Sequence, residues 1–547
     1  MYMNILGRGI IYAYNDMSIY LVQVLGNKDL VNYFPMFRAW NGRGGIDTIN
    51  AQINLILLSH FDIFVGINLI AILYILLNFY FSFLLFSKLH TNNIISFIFS
   101  IFYTFSIYFI YRVVSFTPNL YQIFFFPLII LLLLRYKGIK VILFSILLLI
   151  FFSFSSYYGF FSLIIVIFWF FSELFVSNQI FIQRIINFIK NTIIVLIPLI
   201  LLLLIMYAPL VVRNLTFLSD LRGTNDVSSN NTRYRMIEDF YNFSFRPWYF
   251  FIPPQNSVYF GSLSKEIYKK IADTHYYLAD DYSEREMAGS YMGWHFIIGT
   301  FVVFILLWLK KFKKVRYSLF NEIYKNEKLI IRCFVIIICI LLISGPPSFT
   351  ISGYLFYTPS YLLYSIAPAF RSLVRLSSVI YLFILIINYF LFLDFYYLLN
   401  KKLYRFLFIV IFVLLNYFLF AVEIPIIDTK QIPSEIIFLE KQKNKSTFVV
   451  YPRADYYSIF WILQHKKRII NPIGLKSSDL LFNSQEFTSQ LITKEGIEAV
   501  KSMNVDYLVF YTREVSEELA PEINHFFTEQ FGQNVFANNY SVIYSLK

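Results

Sequence analysis

The sequence predicts a polytopic α-helical membrane protein with about ten transmembrane helices and a C-terminal extracytoplasmic α/β domain. Of its 547 residues, 58% are hydrophobic and 14% are charged, which is more apolar surface than a soluble fold of this length buries. The apolar residues form continuous stretches of roughly 17 to 25 residues, enough to cross a bilayer as helices. Lys and Arg lie mainly in the short segments between these stretches.

The transmembrane domain is expected over residues 62–423, after a polar first segment at 1–61. Its spans are predicted at 62–87, 94–112, 121–135, 140–156, 158–176, 191–212, 294–309, 329–345, 376–395 and 406–423. The segment from Ser153 to Gly159 reads SFSSYYG. We interpret it as a tight external turn between two spans, and a break within a longer hydrophobic pair is the alternative.

The basic residues between the spans predict the orientation. The linker 310–328 is rich in Lys and Arg, and the positive-inside bias places it in the cytoplasm. Alternation of the spans then places outside the cell the segments 1–61, 113–120, 213–293, 346–375 and the tail from residue 422. The net charge of +13 is therefore a topology signal, and we expect no nucleic acid among the partners.

Two expectations concern the ends of the chain. A polar segment such as 1–61 is rarely translocated without a preceding helix, so we expect a first transmembrane helix that this chain lacks.

Strand patterns at 447–452, 505–511 and 541–546 alternate with a helical pattern at 497–503. This alternation predicts a small α/β domain over residues 424–547.

Acidic residues in the first external segment are the first candidates for chemistry. Asp16 and Asp29 precede apolar residues that can lie on the membrane surface, and Tyr33 and Trp40 are aromatic residues suited to the interface. A carboxylate held at that depth can meet a lipid head group. Asp29 and Asp16 are therefore candidate catalytic residues.

Arginines in the later external loops are candidate phosphate ligands, because a guanidinium group binds two oxygens at once. Arg222 lies in the 213–293 loop, and Arg371 and Arg375 lie just before a predicted span. The last two oppose the positive-inside bias, so a diphosphate or lipid phosphate would stabilise them. The alternatives are a solvated loop with mutually paired charges and simple anchoring to anionic head groups.

Several function classes lack their signatures in this sequence. It contains no HExxH, no glycine-rich phosphate loop, no GxSxG and no paired CxxC. Within the predicted spans, Glu173 and Asp394 lie near the cytoplasmic ends, where they can reach water. This placement disfavours a proton-relay or ion-transport function.

Short motifs in this layout resemble the GT-C superfamily of membrane glycosyltransferases, and within it the YfhO-like group of bacterial membrane proteins. They are D-x3-Y-x-P at Asp29, Tyr33 and Pro35, RAWNG at 38–42, SYMGWHFIIG at 290–299 and PAFRSLVR at 368–375. The resemblance extends over most of residues 10–545, including the α/β tail.

The resemblance implies transfer of a sugar from a polyprenyl-phosphate donor to a cell-envelope glycan or lipid acceptor outside the cell. It implies Asp29, or else Asp16, as the base, and Arg371, Arg375 and Arg222 as ligands of the donor phosphate. Tyr33 and Trp40 would lie beside the donor, with membrane lipids around the protein.

The cofactor stays unknown at this stage. A divalent metal ion often holds the donor in this superfamily, but the 113–120 turn reads VVSFTPNL and lacks a D-x-D or E-x-D pair. The alternative function is that of a non-catalytic lipid-linked glycan binder, flippase or envelope-assembly scaffold with the same architecture.

Overall fold

The protein is built mainly from helices, with a small sheet region near its C-terminus. The computed structural model describes residues 9–11, 48–61, 63–114, 117–135, 142–177, 179–223, 237–272, 288–313, 319–352, 354–367, 370–423, 426–428, 431–443, 446–452, 456–465, 467–471 and 484–546. The strands are β1 (Gly9–Ile11), β2 (Ser348–Ile351), β3 (Tyr354–Tyr357), β4 (Ile426–Asp428), β5 (Thr447–Tyr451), β6 (Arg468–Ile469), β7 (Tyr507–Phe510), β8 (Phe536–Ala537) and β9 (Val542–Ser545).

The α-helices are α1 (Thr48–His60), α2 (Ile63–Leu89), α3 (Asn93–Thr104), α4 (Ile107–Val114), α5 (Phe125–Arg135), α6 (Leu143–Phe154), α7 (Ser156–Val176), α8 (Phe181–Gly223), α9 (Ile237–Asn242), α10 (Gly261–Ala272), α11 (Trp294–Phe312), α12 (Asn321–Lys325), α13 (Glu327–Ser344), α14 (Pro359–Ile366), α15 (Ser377–Leu398), α16 (Lys402–Phe420), α17 (Ser434–Glu440), α18 (Tyr456–His465), α19 (Ser484–Gln490), α20 (Lys494–Ser502) and α21 (Leu519–Phe531). Short 3-10 helices precede α5, α11 and α15.

Seven helices in the described part of the chain are long and apolar enough to cross a membrane: Val65–Leu89, Pro118–Arg135, Ser156–Val176, Phe181–Leu204, Trp294–Phe312, Leu373–Leu398 and Lys402–Phe420. Helices α3 and α4 make an eighth if the pair, bent by 44°, is one span. The other two predicted spans coincide with α6, which has 12 residues, and α13, which begins with a charged turn. The protein is therefore polytopic, and the count of ten stays a prediction.

The span Leu373–Leu398 forms the centre of the bundle and is buried from Ser377 to Asp394, whereas few residues of Phe181–Leu204 and Lys402–Phe420 are buried. Asn388 on this central helix donates hydrogen bonds to the Phe296 carbonyl and the Thr300 hydroxyl, both at 2.9 Å. Gly299 lies opposite, where an added Cβ would be 2.0 Å from Asn388 Oδ1. Small residues at helix contacts allow such close approach in membranes.

The chain reverses direction at Ser155, between α6 and α7. Ser155 is extended, with φ −154° and ψ 114°. Across the turn, a Cβ added at Gly159 would lie 2.7 Å from the Phe152 backbone, although residues seven apart in one straight helix are about 10 Å apart along its axis. The predicted tight turn at 153–159 is therefore confirmed.

The predicted loop at 213–293 begins later than the sequence indicates, because α8 continues to Gly223. With 43 residues, α8 is roughly 65 Å long, about twice the hydrocarbon thickness of a bilayer. Residues 213–223 are thus helix and not loop. Hydrophobicity marks where a helix leaves the bilayer but not where it ends, which explains the difference.

The loops predicted to lie outside the cell meet at one end of the bundle. The Phe245 N–H donates to the Ser344 carbonyl (2.7 Å), and the Val258 N–H donates to the Ala421 carbonyl (3.0 Å). Further bonds of this kind join Val374 N to Phe243 O (3.0 Å), Met292 N to Phe250 O (3.3 Å) and the Tyr158 hydroxyl to Leu120 O (2.6 Å). We call this end of the molecule the loop end.

Strand β1 pairs antiparallel with β4, and Ile10 lies opposite Ile427. β4 follows the last span, so the beginning of the chain reaches the segment after that span.

At the opposite end of the bundle, the two acidic residues of the spans have protein partners. Glu173 forms an ion pair with Arg332 at 2.5 Å. The Asp394 carboxylate accepts hydrogen bonds from the backbone N–H groups of Glu322 (2.8 Å) and Ile323 (3.1 Å) at the start of α12. Both acids therefore have a structural role, capping or pairing elements at that end.

The C-terminal region contains a five-stranded sheet in the order β6-β5-β7-β9-β8. β5 is parallel to β6 and β7, and β9 is antiparallel to β7 and β8. Neighbouring residues of β5 face opposite sides, since Val450 packs in one core with Trp461 and Val449 packs in another with Phe527. The strands predicted at 447–452, 505–511 and 541–546 are present, whereas the two-residue strands β6 and β8 were not foreseen.

Candidate arginine site at the loop end

A fully buried arginine lies at the loop end of the bundle, on the last turn of α4. Arg112 is completely buried, and its Cζ atom lies 4.8 Å from the ring centroid of Tyr108. The Tyr108 and Tyr158 hydroxyls are hydrogen-bonded at 2.9 Å, and the Tyr158 hydroxyl also donates to the Leu120 carbonyl at 2.6 Å. These contacts join α4, α7 and the 117–122 turn around one guanidinium group.

Arg375 reaches the same place from the short helix ahead of α15. Its Cζ atom lies 4.6 Å from the ring centroid of Tyr157, and its side chain is partly buried. The guanidinium groups of both Arg112 and Arg375 lie within electrostatic range of the Tyr158 hydroxyl. We call Arg112, Arg375 and the tyrosines 108, 157 and 158 the arginine cluster.

Arg371 lies beside the arginine cluster and contacts a different loop. Its Cζ atom lies 5.0 Å from the ring centroid of Phe243. The preceding residue, Phe370, stacks on Phe160 at 4.2 Å with an interplanar angle of 9° and meets Tyr157 edge-on at 5.4 Å. Stacking of this kind fixes ring positions, so the segment carrying Arg371 is held against α7.

A second buried arginine shapes the loop that Arg371 contacts. Arg246 is buried, and its Nη2 donates to the Tyr241 carbonyl at 2.7 Å and its Nη1 to the Ser244 carbonyl at 3.2 Å. These bonds close the 241–246 turn that presents Phe243. Charged hydrogen bonds to carbonyl oxygens are strong in a buried setting, so Arg246 is a structural residue of the site.

A cluster of buried amides supports the other side of the 117–122 turn. The Tyr74 hydroxyl and Gln122 Nε2 both donate to Asn50 Oδ1, at 2.6 Å and 3.0 Å. Gln122 Nε2 also donates to the Pro118 carbonyl at 2.6 Å. The side chains of Asn50, Tyr74 and Gln122 are completely buried. This network fixes the turn whose Leu120 carbonyl holds Tyr158.

The structure brings together only part of the residue set predicted from sequence. Arg371 and Arg375 lie at the loop end. Arg222 is in the last turn of α8, and its side chain lies outside the described residues, as do Asp16, Asp29, Tyr33 and Trp40 entirely. Arg112 and Arg246 were missed. Arg112 is the last residue of a predicted span, at its external end. Like Arg371 and Arg375, it therefore opposes the positive-inside bias, and the same rule could have identified it.

Arg112 and Arg375 both act electrostatically on the Tyr158 hydroxyl. Guanidinium groups are suited to the recognition of phosphate and carboxylate oxygens. Among the described residues, no three or more His, Cys, Asp and Glu side chains come together in a way that would hold a metal ion. Neither the known protein-family models nor the curated proteins gave a match to this chain.

Proposed function

We propose that this protein is a GT-C-type glycosyltransferase, similar to the YfhO-like group, that transfers a sugar from a polyprenyl-phosphate donor to a cell-envelope acceptor. The observation that carries the proposal is the placement of Arg112 against Tyr108 and of Arg375 against Tyr157 at the loop end of a polytopic bundle, both within electrostatic range of Tyr158. Guanidinium groups suit phosphate recognition, and a lipid-borne phosphate lies at the membrane surface where such a loop end is found.

The proposed roles follow from the charges that change during transfer. The acceptor oxygen forms a bond to the anomeric carbon of the sugar while the bond from that carbon to the phosphate oxygen breaks, with inversion. Asp29, or else Asp16, takes the acceptor proton. Arg112 and Arg375, with Arg371 beside them, stabilise the negative charge left on the departing lipid phosphate. No step is routed through a metal ion.

The proposed orientation places the loop end and the C-terminal α/β domain outside the cell. The Lys- and Arg-rich linker between α11 and α13 lies at the other end of these helices, which is the cytoplasmic side by the positive-inside bias. Paired strands lie on the same side of a membrane, so the pairing of β1 with β4 supports an even number of crossings between them, as the proposed ten spans would give.

The second candidate function is a lipid-linked glycan binder, flippase or assembly scaffold with no transfer activity. The arginine cluster supports this function equally, because binding a lipid phosphate needs no general base. A transporter is disfavoured, because Glu173 and Asp394 are engaged by Arg332 and by the start of α12. The two leading candidates differ only in whether the acidic residues of the first segment are needed.

Binding of a polyprenyl monophosphate to the purified protein in nanodiscs tests the phosphate site. Arg375→Gln is the primary variant because Arg375 is partly buried, and we expect at least a tenfold weaker affinity, as for loss of a charged hydrogen bond of about 1.4 kcal/mol or more. Arg513→Gln is the control, since Arg513 also lies over a tyrosine ring, that of Tyr457 at 4.1 Å, but in the C-terminal sheet region. Unchanged affinity in Arg375→Gln would overturn the phosphate assignment.

A further inference from the structure

The chain between α13 and α15 presents an apolar surface at the loop end. It consists of the β2–β3 hairpin followed by α14, residues 348–366, which we call the hairpin unit. We propose that the hairpin unit is a membrane anchor that lies in the head-group layer of the bilayer on the side of the arginine cluster. The occupant of this surface is lipid, and the proposal stands independently of the glycosyltransferase function.

The exposed residues of the hairpin unit are large and apolar. On β3, the exposed fractions are 74% for Tyr354, 54% for Leu355, 46% for Phe356 and 62% for Tyr357. Helix α14 adds Leu362 and Ile366, which are also exposed. Monomeric proteins rarely present such a contiguous apolar surface to water. We therefore expect this surface to be covered by lipid or by another protein surface.

The composition of this segment matches the membrane interface. From residue 345 to residue 370 the sequence contains no Asp, Glu, Lys, Arg or His, and its polar residues are Ser, Thr and Tyr. Tyrosine is enriched where the acyl chains meet the head groups, whereas strand edges exposed to water are usually protected by charged residues. An uncharged hairpin rich in Tyr and Phe is suited to lipid.

The hairpin unit follows a helix, α13, that also exposes large apolar side chains. The last two turns of α13 expose Ile338 and Leu342, by 54% and 56%. Only three residues separate the end of α13 at Ser344 from the start of β2 at Ser348. Exposed apolar side chains are thus present on both α13 and the hairpin that follows it in the chain. This continuity favours the bilayer over a second copy of the chain.

The backbone of the hairpin unit fits the interface better than the hydrocarbon core. β2 and β3 pair from Ser348 with Tyr357 to Ile351 with Tyr354, and the Thr358 N–H donates to the Pro347 carbonyl at 2.9 Å. A two-stranded sheet has two open edges, which are costly in hydrocarbon but tolerated among head groups. Such a hairpin is also only marginally stable in water by itself.

The hairpin unit is joined to the site by short connections. The Tyr364 ring packs edge-on against Phe240 at 5.3 Å, and α14 ends at Ile366, five residues before Arg371. A unit anchored among the head groups therefore holds Arg371 near the depth of lipid phosphates. The anchor would set this depth for any phosphate that the site binds.

Fluorescence quenching in nanodiscs of phosphatidylcholine and phosphatidylglycerol tests the anchor on the full chain. The two cysteines, both within α13, are replaced by Ala, and a nitrobenzoxadiazole dye is attached at Phe356→Cys. We expect lipids with a spin label near the head group to quench this dye at least twofold, and lipids labelled deep in the acyl chain to quench it less. The same dye at Glu529→Cys, an exposed position on α21, should not respond to either lipid.

Two results would overturn the proposal. Quenching of the dye at residue 356 by aqueous iodide, without quenching by spin-labelled lipid, would place the hairpin in water. Protection from both quenchers, together with disulfide-linked dimers of Phe356→Cys, would show that a second copy covers it. Leu362→Cys on α14 serves as the second probe position, and gel filtration of each variant checks that it is folded.

Discussion

The guanidinium carbon of Arg375 lies 4.6 Å from the ring centroid of Tyr157. The hydroxyl of the next residue, Tyr158, is hydrogen-bonded to the Tyr108 hydroxyl and the Leu120 carbonyl, within electrostatic range of Arg112 and Arg375. Both tyrosines follow the Ser155 reversal directly, so the start of one helix orients both rings. The arginine cluster therefore depends on the tight turn between α6 and α7 as well as on the charged residues themselves.

Replacing Arg375 by Lys should retain part of its function. Lysine keeps the positive charge but lacks the planar fork that binds two phosphate oxygens and stacks on Tyr157. We expect sugar transfer by Arg375→Lys to lie between that of wild type and that of Arg375→Gln, with Gln lowering it about 100-fold or more. Transfer assays on membranes with equal protein levels measure this order. Equal transfer by Lys and Gln variants would show that charge at this position is irrelevant.

The sequence predicts those residues of the site that stand out within their own segment, but not the contacts between segments that are distant in the chain. Arg371 and Arg375 can be found because they oppose the charge bias of the loops, and the same rule, applied inside a predicted span, finds Arg112. The contact of Arg371 with Phe243 joins segments far apart in the chain. No pattern within either segment encodes that contact.

In the fold, too, features that depend on one segment are predicted and features that depend on contacts between segments are not. Apolar length predicts where the spans lie, and the glycine- and serine-rich segment predicts the turn at Ser155. The pairing of Asn388 with the α11 backbone and the pairing of β1 with β4 arise from tertiary packing, which single-sequence patterns do not record. The strands β6 and β8 have two residues each and are too short to leave an alternating pattern.

Gly299→Ala should destabilise the bundle. An added Cβ would lie 2.0 Å from Asn388 Oδ1, and the central helix that carries Asn388 is buried on all sides. Overpacking of this kind costs about 1–3 kcal/mol, so we expect a lower thermal unfolding midpoint in detergent.

Gly345→Ala is the matched control for this substitution. A Cβ at Gly345 would meet the Leu341 carbonyl at 3.7 Å, an ordinary van der Waals distance, so its midpoint should equal that of wild type. Equal midpoints for Gly299→Ala and Gly345→Ala would contradict the close approach of α11 and α15.

A disulfide should form between cysteines placed at Ile10 and Ile427. These residues are direct partners in the antiparallel pair of β1 and β4, and Cα atoms of such partners are about 4.5–5.5 Å apart, which a disulfide spans. Mild oxidation of the double variant should therefore give a band of altered mobility that reductant reverses. Pairing Ile10→Cys with Lys501→Cys on α20 is the control. A disulfide only in the control pair, or in neither, would contradict the pairing of β1 with β4.

Acidification should destabilise the C-terminal region through His465. Burial, and then the charge of Lys467, lowers the pKa of His465 to about 3, whereas an unfolded chain has a His pKa near 6.5. The unfolded state therefore binds the proton first, so this contribution to stability is complete above about pH 6.5 and decreases as the pH falls towards 3, by up to about 1.4 kcal/mol per pH unit.

His465→Gln should flatten this pH dependence, because its amide oxygen can accept the Lys467 N–H bond that His465 Nδ1 accepts at 3.0 Å. Unfolding midpoints of the full chain between pH 7.5 and 4.5 measure the effect. His525→Gln, at an exposed site on α21, should keep the wild-type slope. Identical slopes for wild type and His465→Gln would contradict this explanation.

The proposed transfer reaction is tested most directly by mass spectrometry of cell-envelope glycans. A deletion strain is complemented with wild type or with the Asp16→Asn, Asp29→Asn double variant at matched expression. The glycosyltransferase account predicts that wild type alone restores a hexose-sized modification, because the variant lacks the base that takes the acceptor proton. Equal complementation by both proteins would contradict it and leave the phosphate site to a binder, flippase or scaffold.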